Sequence, residues 1–336
     1  MLDEARSASQ IVDSQGKQCH SLLPPLAEHL RQLAPNVALT VARGSSDHAA
    51  AYLSYLLMSR LGVPTLSLPM SLVTLNRAPL RVDRQLVLTL SQSGRSPDVV
   101  ETTRALTASG AYSIAMVNVE GSPLAAAASV VLPLGAGPEL SVAATKSFIA
   151  SLSMSARLIA HWQRDPALLG ALDSLPADLT AAAALDWSNA LQALVGVKHM
   201  LVIGRGRTLS IALEAALKFK ETCNLQAEAF SAAEVKHGPM ALISPDYPVL
   251  VFAPRGPEQT GLLQTARDLR ARGARVLLAA PDDVVDRDVP LAVASHVDLD
   301  PVLAIQSFYV MVAQLSTARG LDPDKPPHLN KVTTTL

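Results

Sequence analysis

The stretches VALTVARGSS, residues 37–46, and QLVLTLSQSG, residues 85–94, decide the fold. Each is a short run of Val, Leu and Thr that ends in a turn carrying Gly and Ser, the pattern of a parallel strand leaving its sheet. Both recur. Arg43-Gly44 of the first falls on Arg205-Gly206 of KHMLVIGRGR, residues 198–207, at an offset of 162. Ser93-Gly94 of the second falls on Arg255-Gly256 of DYPVLVFAPRG, residues 246–256, at the same offset. TRALTASGAYSIAMV, residues 103–117, falls on ARDLRARGARVLLAA, residues 266–280, at an offset of 163. Three segments in one register mark an internal repeat.

Working outward from these anchors, strands are predicted over residues 37–42, 86–90, 113–117 and 130–132, and again over 200–203, 249–252, 275–279 and 297–299. Helix-period segments lie between them, so the fold class is α/β, with two tandem doubly wound parallel-sheet units of the flavodoxin-like kind. A helical arm, 1–34, precedes the first unit, 35–165; a linker or helix, 166–196, leads to the second, 197–322. A Pro-broken tail, 323–336, follows and has no counterpart in the first unit.

Composition bounds the function. Of 336 residues 49% are hydrophobic and only 17% charged, which excludes a disordered chain and predicts large buried surfaces. The net charge is −1 and aromatic residues make up 4%, so neither an electrostatic nor a stacking case for nucleic acid exists. The uncharged stretch Gly121 to Pro138 holds three prolines and three glycines and cannot be a continuous spanning helix; no membrane association is expected. Cys19 and Cys223 cannot form a disulfide framework, and the eight histidines show no zinc-type spacing with them, so a structural metal is not expected. MLDEARSASQ lacks the basic and apolar regions of a signal peptide, which points to the cytoplasm.

Because the chain is a repeat, what the fold needs should appear twice. After its second strand the first half reads SQSGRSPD, residues 91–98, where the second reads APRGPEQT, residues 253–260. Ser96 as N-cap and Pro97 as first helical residue would satisfy ordinary capping. Ser91, Gln92 and Ser93 exceed that need, and with Ser45 and Ser46 of the neighbouring strand end they suit a phosphate dianion at a helix N-terminus. The loop is no Walker A motif, lacking GK[ST]. The second half carries Glu214, Lys218 and Glu221 on one helix face, where the first has Tyr52, Leu56 and Ser59. A solvated face of i,i+4 pairs is the plain alternative; the surrounding Ala, Leu and Phe argue for a buried one, and buried carboxylates need a partner or a task. In AEAFSAAEVKHGPMALI, residues 227–243, Gly238-Pro239 reads as a helix stop, with His237 on the last helical turn. A capping histidine and a functional one fit that position alike.

Taken together, SQSG, ALEAALKFKE, EAFSAAEVKHGPMALI and DKPPHLNKVTTTL resemble the sugar isomerase (SIS) domain family over essentially the whole chain. Within it they are similar to the isomerase half of the glucosamine-6-phosphate synthases, without the glutaminase half. SQSGRSPD is more similar to the stand-alone SIS-type glucosamine-6-phosphate deaminases. The resemblance implies a sugar phosphate held by Ser46, Ser91, Gln92, Ser93 and Ser96. It implies Glu221 as the base moving a proton between C1 and C2, and His237 as the ring-opening acid/base supplied by the neighbouring subunit of a homodimer. Lys331 would close over the sugar, flanked by Glu214 and Lys218. Arg43, where the synthases have a small residue or Cys, and Ala144, in place of a hydroxyl residue, depart from the family pattern.

The expected activity is therefore release of ammonia from glucosamine 6-phosphate to give fructose 6-phosphate, chemistry that needs no metal or organic cofactor. The rivals are a phosphosugar aldose–ketose isomerase or a deglycase acting on another amino-sugar phosphate. A non-catalytic sugar-phosphate sensor is the rival of another class.

Overall fold

The computed structural model describes residues 1–331. It contains two five-stranded parallel sheets with helices around each. The first comprises β1 (Ala38–Val41), β2 (Thr65–Ser67), β3 (Leu86–Ser91), β4 (Tyr112–Val117) and β5 (Val130–Pro133) in the order 2-1-3-4-5. The second comprises β6 (His199–Gly204), β7 (Gln226–Ser231), β8 (Pro248–Phe252), β9 (Arg275–Ala280) and β10 (Val289–Pro290). Its order is 7-6-8-9-10, the same topology repeated.

Strands β3 and β8 are buried along their whole length, as central strands covered on both faces must be. Continuous apolar runs made these strands legible. β2 and β7 were not predicted: each is a sheet edge with exposed positions, Leu66 and Ser67 in one, Gln226 and Glu228 in the other. Residues 297–299, predicted as a strand, form a 3₁₀ turn instead, leading into helix Asp300–Ala318. The fifth strand is β10, two residues long and ending in Pro290, too short for any periodicity to show.

The chain divides into two compact units that do not follow the sequence in simple order. One holds Gln10–Glu139, Lys146–Asp173 and the tail from Asn330; the other holds Met1–Ser9, Leu140–Thr145 and Ser174–Leu329. In the first unit helix Ser45–Leu61 packs against Lys146–Gln163, which is buried at every position from Lys146 to Ala160. In the second, Arg207–Cys223 packs against Asp300–Ala318, with Phe219 and Phe308 meeting edge to face at 5.1 Å. Val297–Ala318 is the one single helical segment among the described residues long and apolar enough to cross a membrane, and 83% of its most apolar window is buried inside the structure. Burial in a core explains that composition.

Candidate functional site

In the first sheet the strand order reverses at β1 and β3, which run parallel with Val41 opposite Thr89. Loops leaving the C-terminal ends of such neighbours diverge and open a crevice. One is Gly44-Ser45-Ser46, entering helix Ser45–Leu61; the other is residues 91–96, entering helix Pro97–Ala108.

The second loop is held from inside. The buried Ser91 Oγ accepts from the Gly94 N–H at 2.9 Å, and Ser93 Oγ accepts from the Arg95 N–H at 3.3 Å. Gly94 has φ +63°, and a Cβ there would lie 2.6 Å from the Ser122 Cβ and 2.8 Å from Val117 Cγ2, so only glycine fits. Ser96 occupies the N-cap position with extended backbone and Pro97 follows as first helical residue, but the Ser96 hydroxyl makes no capping bond. That hydroxyl, with Gln92 and Ser93, is only partly buried. Arg43, beside the loop, is committed: its Nε lies 2.9 Å from Oδ2 of Asp98, a buried carboxylate that also accepts from the Val99 N–H. Sequence reasoning missed Asp98, whose signal was an acidic residue in the first helical turn, the place the helix dipole favours.

Lys331 also belongs to this unit. Its Nζ lies 3.5 Å from the buried Glu139, which accepts from both the backbone N–H and the hydroxyl of Ser147. Nothing in the residues around Glu139 had marked it as a partner for the tail. Residues 332–336, the end of the predicted tail, lie outside the described residues.

In the second unit the Glu-Lys-Glu face is buried. Glu214 is inaccessible, Lys218 nearly so, and the Glu221 side chain is 21% exposed. Lys218 Nζ lies 3.3 Å from Glu214 Oε1 and 2.5 Å from Glu221 Oε2, and Tyr309 donates to Glu214 Oε1 at 2.9 Å. Burial opposes the Lys218 ammonium, but the two carboxylates outweigh it and raise its pKa above the ordinary lysine value. Tyr309 was invisible to sequence reasoning, since it lies in an apolar helix far along the chain. The last turn of Arg207–Cys223 opens onto a cavity of about 370 Å³. Glu221, Thr222 and Asn224 line one side and Pro326, Pro327 and His328 of the tail line the other.

His237 is placed differently from expectation. β7 runs to Ser231, leaving no length for a helix before Gly238-Pro239. His237 closes a four-residue 3₁₀ turn, Glu234–His237, and a second such turn, Pro239–Leu242, follows. So short a turn has no appreciable helix dipole at its end. The side chain is exposed.

The SIS domain model matches residues 35–160 and 193–319, and the chain belongs to that family. Among curated relatives it is 35% identical over 306 residues to the isomerizing glutamine–fructose-6-phosphate aminotransferase of Methanothermobacter thermautotrophicus, and 36% identical over 322 residues to that of Aeropyrum pernix. Each match covers 88% of this chain and 51% of the relative, so the chain spans about half their length. Among solved structures, a provisionally assigned phosphosugar isomerase from Silicibacter pomeroyi DSS-3 superposes with a TM-score of 0.92 at 40% identity, over 96% of this chain and 99% of that one. The C-terminal domain of glucosamine-fructose-6-phosphate aminotransferase from Francisella tularensis gives 0.87 at 25% identity, covering 97% of each. Glucosamine-6-phosphate deaminase from Thermotoga maritima gives 0.79 at 22%, covering 99% of each; that likeness is one of fold.

Proposed function

We propose that the chain is a phosphosugar enzyme that isomerises and deaminates glucosamine 6-phosphate, giving fructose 6-phosphate and ammonia. One observation supports this most: of two carboxylates gathered on a buried lysine, Glu214 is inaccessible while Glu221 lines a cavity. A carboxylate so placed can take the C2 proton of an opened aldose and deliver it to C1. The resulting C2 imine reacts with water, yielding the ketose phosphate and releasing the nitrogen as ammonia. Lys218 keeps Glu221 oriented, and Glu214 balances the lysine charge. Residues 91–96 with Ser45 and Ser46 suit the phosphate, whose binding energy positions the reacting carbons. His237, as ring-opening acid/base from a second subunit, and Lys331, as the residue closing over the sugar, complete the proposal for a cytoplasmic homodimer.

Isomerisation without deamination is the second reading, supported by the 40% identity to the Silicibacter protein. Both readings use the same proton transfer; they differ in whether C2 carries nitrogen. Measuring ammonia and ketose phosphate side by side over a panel of amino-sugar and neutral sugar 6-phosphates separates them. A sensor would bind such compounds and turn over none.

A further inference from the structure

Gly44 and Gly206 are repeat equivalents with nearly the same backbone, φ/ψ of 55°/−132° and 57°/−129°, and each caps a 17-residue helix. Their surroundings are opposite. A Cβ on Gly44 would meet no described atom within 4 Å, whereas a Cβ on Gly206 would collide with the Glu258 carboxylate. Glu258 aligns with Ser96, Arg207 with Ser45 and Arg255 with Ser93. Where the first half carries Ser96 and leaves its helix N-terminus open, the second sets a carboxylate against the equivalent glycine.

That anion is built in. The side chains of Glu258, Arg207 and Asp298 are 12%, 8% and 5% exposed. Arg207 donates to Asp298 and holds Glu258 Oε2 at 3.7 Å, and its buried Nε has no hydrogen-bond partner among the described residues. Arg255 is taken up by Asp300, at 2.9 Å through both Nε and Nη2. A carboxylate over a helix N-terminus and beside a guanidinium occupies the place a phosphate oxygen would take.

We propose that Glu258 is an internal anion closing the second half's copy of the oxyanion loop, so that exchanging it opens a second site for a phosphate group. The duplicated fold thus confines phosphate to its first half by one side chain, and the added site would draw on Arg207 and the N-terminus of helix Arg207–Cys223. The inference builds on reading residues 91–96 as the phosphate loop, and the measurement separates the two. Equilibrium dialysis of radiolabelled inorganic phosphate against the full chain counts sites in wild type, Glu258→Ser and the shape-conserving Glu258→Gln, with folding followed by circular dichroism. Glu258→Ser should bind one more phosphate per chain than wild type, and Glu258→Gln should gain the same site at lower affinity. Adding Ser93→Ala should weaken the original site and leave the gained one; an unaffected original site would count against the first-loop reading alone. Folded variants that bind no more phosphate than wild type, or a wild type already binding at both loops, would overturn the inference.

Discussion

Lys218 holds Glu221 at 2.5 Å on the rim of a cavity, while the same ammonium lies 3.3 Å from the inaccessible Glu214. The two carboxylates share one cation but not one environment. Glu221→Gln keeps the shape and removes the base, so turnover of glucosamine 6-phosphate should fall about 10²–10⁴-fold with the melting temperature little changed. Glu214→Gln should cost less activity, because Glu214 acts through Lys218. Equal rates in all three proteins would make the cluster structural only.

Lys218 itself should dominate stability. Its removal leaves two carboxylates facing each other, one of them wholly buried, a loss of about 3–5 kcal/mol for Lys218→Met in urea unfolding at pH 7. Combining it with Glu214→Gln should recover much of that loss. Because the folded pKa of Lys218 is raised, its contribution is complete below the ordinary lysine range near pH 10.4 and falls away as pH climbs through the raised value. Wild-type stability lost through this group should therefore appear only in strong alkali; a loss between pH 7 and 9 that Lys218→Met abolishes would contradict the assignment.

Much of this was legible beforehand. The repeat register alone gave two parallel sheets, since β1, β3, β4, β8 and β9 are apolar runs buried on both faces. The Glu-Lys-Glu face stood out because its counterparts Tyr52, Leu56 and Ser59 carry no charge. What stayed hidden depends on contacts between distant residues, such as Tyr309 on Glu214 and Glu139 on Lys331. The edge strands β2 and β7 were missed because half-exposed strands lose the apolar run. The turn at His237 was misread because a Gly-Pro stop looks alike after a helix and after a 3₁₀ turn.

The phosphate loop makes its own prediction. Ser93→Ala should lower kcat/KM by about 1.5–3 kcal/mol, the worth of one hydrogen bond to a charged group. Free glucosamine should be a far poorer substrate than its 6-phosphate. Comparable kcat/KM for the two would remove the phosphate from this account.

The tail gathers two observations, the cavity wall at Pro326–His328 and the approach of Lys331 to Glu139. A chain ending at residue 325 should stay folded and bind sugar phosphate weakly, yet barely turn over. Lys331→Ala should reproduce most of that loss, as a segment that excludes water during catalysis would require. An unfolded truncated chain, or an active one, would each count against it.

Cys223 offers a simpler check of the packing. Burial pushes its thiol up to about 11, and burial raises that of Cys19 as well. Neither should react with a thiol reagent at pH 8 in the folded protein, and both should react in denaturant.

The central claim is that Glu221 moves a proton on a sugar whose C2 carries nitrogen. Wild-type protein incubated with glucosamine 6-phosphate should release ammonia and fructose 6-phosphate in equal amounts, and Glu221→Gln should release neither at a comparable rate. Ketose phosphate formed from a neutral sugar 6-phosphate, with no ammonia from any amino sugar, would contradict deamination and leave isomerisation in its place.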